Sequence, residues 1–373
     1  MLNAKPLKTR QICLMFIAFL PVIKLFTLPG LMAQAAEQDM WLSALIALAL
    51  DLITMFVILF TLRREDTDFY GLLEDNFGRT GSLIILALFA LCFFIKALLP
   101  VFEQQDFVTL TFYVTTPKSL MFLPFFLGAA YLAIKPLRVI GRCADVLFLF
   151  TAAGLIILAG FSFISFDAGA LLPVCINGAE PVLRGAYTAA PWFGDCMYFL
   201  FVAGRFERKK KDGIKIFVSY AGAGLAAVLF MVIFYGTFSS IAFRQRFAIN
   251  EISKYSAVIN NLGRIDYLAT FLLLFSGIVS LTLPLYFAGE ILNRMTRIKN
   301  LKILPLAVCA FCFAAVLLLD RNVYGLEKFI TRYAAAFFIL MANVLPVFIC
   351  LIARKKGVLT KKHGEKTDEL YQD

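Results

Sequence analysis

A chain of 373 residues that is 61% hydrophobic, 16% charged and carries a net charge of +11 is not a soluble domain. Soluble domains are about half apolar and about a quarter charged. The surplus Lys and Arg are scattered over many short turns with no aromatic-basic surface. That pattern argues against nucleic acid and for membrane orientation beside anionic lipid.

Hydrophobic runs divide the chain into ten candidate spans, at 11–34, 40–62, 81–102, 118–134, 143–166, 187–204, 214–239, 265–292, 303–319 and 333–352. Each has about the length that crosses a bilayer as a helix. The expected fold is therefore all-α, a polytopic membrane protein with one membrane domain over 1–355 and a polar, disordered tail over 356–373. Of the 36 basic residues, 25 fall in the N-terminus, the even-numbered turns and the tail. Nine fall in the odd-numbered loops, with Lys118 and Lys215 at span edges counted in the adjoining loop and turn, and two, Lys24 and Lys96, lie deep inside spans. Short basic loops stay cytoplasmic, so both termini are expected inside.

In chain order, Lys5, Lys8 and Arg10 precede the first apolar run, which is too long for a signal peptide and holds Pro21, Lys24 and Pro29. That run is predicted to be the first span, with its helix broken near Pro21, Lys24 and Pro29-Gly30. After span 2, the segment from Asp68 to Gly78 alternates aromatic and acidic residues. It reads equally as a short helix lying on the membrane or as a solvated turn. Span 6 opens with Ala190-Pro191-Trp192-Phe193-Gly194-Asp195, a second candidate break. Broken backbone at membrane depth survives only where protein or a water-filled cavity satisfies it, and paired breaks point to a transporter-type site. Pro284 in span 8 and Pro346 in span 10 read as simple kinks.

The eight cysteines form no framework. Cys309 and Cys312 make a CxxC inside span 9 without a second ligand pair and read as packing residues, and Cys175 alone is clearly external. The single histidine, His363, lies in the tail. No HExxH, G-x-S-x-G or P-loop pattern occurs, so neither an enzyme nor a metal or cofactor site is expected.

Charges within spans need a reason, because each costs about 2.5–3.5 kcal/mol on insertion scales. Lys24, Asp51 and Asp195 fall at similar depths. One reading is a polar ligand pocket made by Lys24, Asp51, Pro191, Trp192, Gly194 and Asp195, in which Lys24 meets a carboxylate and Asp195 an ammonium. The other is an internal Lys24–Asp51 ion pair that only holds spans 1 and 2 together. Lys96 reads as structural, snorkelling outwards or pairing with Glu103 or Asp106. Glu290 reads as a neighbour of Arg294.

Four segments resemble a known family. They are Thr115-Thr116-Pro117, the stretch from Tyr131 to Arg142 (YLAIKPLRVIGR), Leu171-Leu172-Pro173 with Gly178-Ala179-Glu180-Pro181-Val182-Leu183-Arg184-Gly185, and Arg264-Ile265-Asp266. In this order and spacing they are similar to the B subunits of endospore germinant receptors, the GerAB-type spore germination permeases. Those belong to the amino acid–polyamine–organocation transporter superfamily. Pro136 and Arg138 depart from the family's glycine and glutamate. The family's first span breaks at a glycine-containing stretch that offers amides to a carboxylate, whereas this chain has Leu20-Pro21-Val22-Ile23-Lys24 there.

The resemblance implies a 5+5 inverted repeat in which broken spans 1 and 6 correspond. It also implies an A-type membrane subunit and a C-type lipoprotein as partners, a small nutrient such as an amino acid as ligand, and residence in the spore inner membrane. Two further functions fit the same sequence. One is a proton-coupled amino acid or amine transporter, and the other is a scaffold subunit that binds no ligand.

Overall fold

The computed structural model describes residues 7–62, 68–112, 117–162, 165–206, 209, 211–255, 266–296, 298, 300, 302–320 and 323–353. The motif residues Thr115, Thr116, Arg264 and Ile265, and the tail 356–373, lie outside the described residues. Within them the regular structure is helical, apart from one isolated bridge between Leu7 and Phe206.

The first hydrophobic run forms two helices, α1 (Thr9–Ile23) and α2 (Leu28–Ala36). Pro21 stays inside α1, so the break lies later than the proline, at residues 24–27. Lys24 N–H bonds the Pro21 carbonyl at 2.9 Å and Leu25 N–H bonds that of Val22 at 3.1 Å, a tightened last turn. Pro29 sits in the first turn of α2, where its missing N–H costs nothing. Helix α3 (Met40–Leu62) follows.

Helix α4 (Phe69–Phe112) bends at Gly78, whose φ of +67° suits glycine. The Asp68–Gly78 segment is therefore helical over its length up to that bend. Beyond it, α4 continues past the expected end of span 3 and through Pro100, carrying Glu103, Gln104, Gln105 and Asp106 as buried helical residues. Helices α5 (Lys118–Ala133) and α6 (Leu137–Ser162) come next.

The sixth hydrophobic run is broken like the first. Helix α7 (Ala179–Ala189) ends before the predicted proline, and α8 (Cys196–Val202) begins directly after Asp195. Helix α9 (Asp212–Phe238) precedes the short α10 (Ala248–Tyr255). Span 8 is split at Leu281 into α11 (Asp266–Ser280) and α12 (Thr282–Thr296), with Pro284 in the first turn of the second piece. Helix α13 (Ile303–Leu319) follows. The last helix, α14 (323–353), contains two π turns, Ile330–Ala334 and Leu340–Val344, the second just before Pro346.

Among the described residues, six helical stretches are long and apolar enough to cross a membrane: Leu28–Leu62, Phe69–Thr109, Leu137–Gly160, Asp212–Arg244, Phe271–Thr296 and Gly325–Ala353. Helices α1, α5 and α13 are apolar but shorter. The outward faces are apolar too, with Ile53, Phe56, Ile84, Leu149, Ile156 and Leu318 exposed, as lipid contact requires and water would not allow.

Helix α1 packs against α6, α9 and α11, while α4 packs against α5, α12 and α13. Without a hydrophobic drive between helices in lipid, close contact and interhelical hydrogen bonds carry the association. The Ala18 carbonyl accepts from Thr151 Oγ1 of α6 at 3.0 Å and from Ser276 Oγ of α11 at 2.7 Å, fastening α1 at mid-length.

At one end of the bundle, Leu7 N–H bonds the Arg205 carbonyl at 3.1 Å and Thr9 Oγ1 donates to Asp212 at 2.7 Å. Glu290 there pairs with Arg205 rather than Arg294, and Arg294 lies over the Tyr70 ring at 3.9 Å. At the opposite end, Asp106 holds Lys118 at 2.8 Å and Arg246 at 2.9 Å, and Cys175 N–H bonds Asp39 at 2.9 Å.

Candidate ligand site at the two helix breaks

Breaks 24–27 and 190–195 meet in the middle of the bundle. Asp195, at the N-cap of α8, places one carboxylate oxygen on Lys24 Nζ and the other 2.9 Å from Lys96 Nζ of α4. Exposures of 4% for Lys24, 6% for Lys96 and 3% for Asp195 show that the cluster is buried. Lys24 also donates to the Leu20 carbonyl at 3.1 Å and lies 5.1 Å from the Phe193 ring centroid. Lys96 also donates to the carbonyls of Phe193 at 2.6 Å and Pro191 at 3.3 Å, the acceptors that the broken backbone exposes.

Asp51, 1% exposed on α3, serves the same break from the other side. Its carboxylate accepts from Gly194 N–H at 2.8 Å and from Tyr220 O–H of α9 at 2.8 Å. Gly194 has φ +77°, and a Cβ there would lie 2.5 Å from the Ala342 Cβ of α14. Only glycine therefore lets the chain turn here and still donate to Asp51. The proposed Lys24–Asp51 ion pair does not form, because Lys24 is engaged by Asp195 and Asp51 by neutral donors. Lys96 was misplaced by sequence reasoning for a similar reason. It points to the bundle interior and joins Asp195 rather than snorkelling or meeting Glu103 or Asp106.

Trp192 is buried and donates Nε1–H to Glu103 Oε1 at 3.0 Å, and Thr27 of the first break donates to the same oxygen. Glu103 thus ties α4 to both breaks. Pro191 and Trp192 line a cavity of about 10 Å³ with Lys96, Leu99 and Tyr198, which holds roughly one water molecule. As arranged, the cluster is closed on itself, and a larger guest needs the breaks to part. On the side of α8 towards Arg205, Phe69, Phe89, Phe93, Phe201 and Phe287 stack with centroid separations of 5.0–6.4 Å and fill the space.

The site residues expected from sequence, Lys24, Asp51, Pro191, Trp192, Gly194 and Asp195, are all within this assembly. Lys96, Tyr220 and Glu103 were not foreseen as part of it. Among the described residues, no group of three or more His, Cys, Asp or Glu has the arrangement of a metal site.

Two helices broken at a shared, charged centre, inside an apolar bundle with six stretches long enough to cross a bilayer, mark an integral membrane protein. Solved structures share the fold. A mutant of the manganese transporter of Eremococcus coleocola superposes with a TM-score of 0.64 at 12% identity, covering 91% of this chain and 78% of that one. A nucleobase–cation-symport-1 family transporter in a closed, bromovinylhydantoin-bound conformation gives 0.62 at 14% identity, covering 93% and 78%.

The chain belongs to the spore germination protein family, whose model matches residues 6–324. It is 21% identical to spore germination protein XB of Bacillus anthracis over 355 residues, 93% of this chain and 98% of that protein. It is 24% identical to spore germination protein YndE of Bacillus subtilis over 226 residues, 60% of this chain and 61% of that protein.

Proposed function

We propose that the chain is the membrane subunit of a spore germinant receptor and senses a small nutrient such as an amino acid. In this reading it is one domain of ten spans in a 5+5 inverted repeat, with both termini cytoplasmic, in the spore inner membrane. It acts with an A-type membrane subunit and a C-type lipoprotein to trigger germination.

The observation that carries the reading is the sharing of one carboxylate by two buried ammonium groups where two broken helices meet. Asp51 is bonded to Gly194 and Tyr220 and pairs directly with neither lysine. Both lysines thus share one directly bonded carboxylate, with Asp51 balancing the second charge at longer range. A nutrient carboxylate takes Lys24 or Lys96 from Asp195. Pro191, Trp192 and Gly194 form the wall that moves when Asp195 lets go, and the displaced break passes the signal to the partners.

The test is equilibrium binding of radiolabelled L-amino acids to the full chain in lipid nanodiscs. Lys24→Met is expected to weaken binding by about tenfold or more, the value of one lost charged hydrogen bond of about 1.5–3 kcal/mol. In spores, Asp195→Asn is expected to abolish the nutrient response while the protein still reaches the membrane. Absence of any binding by the wild type points to the scaffold alternative. The transporter likeness of the fold favours a second reading, proton-coupled transport, and concentrative uptake into proteoliposomes would establish it instead.

A further inference from the structure

The cluster leaves a ligand's cationic end without an obvious place. Asp195 is saturated by two lysines, and the carbonyls of Pro191 and Phe193 are taken by Lys96. One turn of α4 supplies the missing acceptors. Glu103 is 5% exposed and Gln104 fully buried. Glu103 spends Oε1 on Thr27 and Trp192, while its Oε2 has no hydrogen-bond partner among the described residues. Both Gln104 Oε1 and Gln104 Nε2 are also without one. The Gln104 carboxamide lies against α11 and the first break, since a Cβ on Gly277 would sit 3.2 Å from Nε2 and 3.3 Å from the Phe26 ring. Glu103 thus meets Thr27 directly, and Gln104 lies beside Gly277 of α11 on the side of Phe26, so the two flank the first break.

Buried polar atoms without partners are costly, and a buried carboxylate without a cation more so. Among the described residues Glu103 forms no ion pair. Lys118 and Arg246, the cations at this end of α4, are paired with Asp106, and Arg246 reaches Glu103 only at longer range, opposed by Glu327. We propose that Glu103 and Gln104 form a subsite for a primary ammonium group, the amine end of a small ligand entering beside the two breaks. Glu103 Oε2 and Gln104 Oε1 accept two of the ammonium protons, and Gln104 Nε2 donates to an acceptor atom carried by the same ligand. Assigning that ammonium to a nutrient rests on the sensing function proposed above, whereas the subsite itself does not.

Trp192 makes the test direct, because the chain has only two tryptophans. In a Trp41→Phe background, Trp192 emission reports on the Glu103 hydrogen bond. Ethylammonium chloride carries the cation alone and sodium propionate the carboxylate alone, and each is titrated into the full chain in nanodiscs. Glu103→Gln and Gln104→Leu are each expected to raise the half-saturating ethylammonium concentration about tenfold, equivalent to about 1.4 kcal/mol, with the propionate titration unchanged. Should Glu103→Gln fail to reach the membrane, Gln104→Leu, which keeps the carboxylate, decides. An ethylammonium titration unaltered by the substitutions overturns the subsite. Potassium chloride producing the same Glu103-dependent change at the same concentration overturns the ammonium assignment in favour of a free inorganic cation. A Glu103-dependent ethylammonium response with propionate inert supports the subsite and counts against the carboxylate step of the sensing mechanism.

Discussion

Asp195 holds two lysines from two different helices, so removing it strands both. Removing one partner of a buried ion pair typically costs about 3–5 kcal/mol. Lys24→Met and Asp195→Asn are accordingly expected to be non-additive, with a coupling of about 1–3 kcal/mol in a double-mutant cycle read by thermal unfolding in detergent. The same cycle on Lys24 and Asp51 is expected to give a smaller coupling, because no bond joins them. Gly194→Ala, at φ +77° and against Ala342, is expected to cost about 1–3 kcal/mol. Gly128→Ala, which meets nothing within 4 Å, is expected to be neutral or mildly stabilising. The depth of Lys24, Asp51 and Asp195 was legible because depth follows from position along a span. Their partners were not, because partnership depends on the rotation of each helix, which the sequence leaves open. Glu103 was legible only as a possible partner of Lys96, and Gln104 not at all, because four consecutive polar residues after an apolar run look like the start of a turn. Here the helix simply continues, and other elements bury all four.

At the scale of elements, both breaks were visible as proline and glycine beside a charge, but the proline did not mark the first one. Pro21 is carried inside α1, and the chain parts three residues later at Lys24, which takes a carboxylate across the break. The gap is closed from the loop after α9, where Ala248 N–H bonds the Phe26 carbonyl at 3.0 Å. Gln245 presses its carbonyl on Gly30. Ala248→Pro removes that single donor at the first position of α10, where a helix tolerates proline. Backbone amides of residues 25–31 are then expected to exchange with deuterium about 2–10 times faster, the loss of a bond worth about 0.5–1.5 kcal/mol, while α10 itself is unchanged. Unaltered exchange across the break would show that the loop does not hold it. The π turns of α14 had no sequence signal beyond Pro346, since such turns arise from packing as much as from composition.

For the whole molecule, the helical membrane character was legible from hydropathy alone, because in a bilayer the backbone has few ways to satisfy itself. The individual span count was less so. Breaks divide runs into pieces too short to qualify by length, as with α1, α7 and α8. The charge distribution predicts an external Cys175, which is exposed and unpaired. A membrane-impermeant maleimide is therefore expected to label Cys175 in intact cells expressing the chain, while a cysteine placed at Lys356 is labelled only after permeabilisation. The reverse result would invert the orientation.

The shared aspartate has a consequence for insulation. A membrane protein with two interrupted helices risks a leak along the interruption. Here that route is filled by Lys24, Lys96, Asp51 and Asp195, all 6% exposed or less, whose opposite charges balance. An ion crossing there would have to part Asp195 from both lysines and then pass the phenylalanines packed beside α8. The contacts that hold the two interruptions together are thus the same ones that close the path between them.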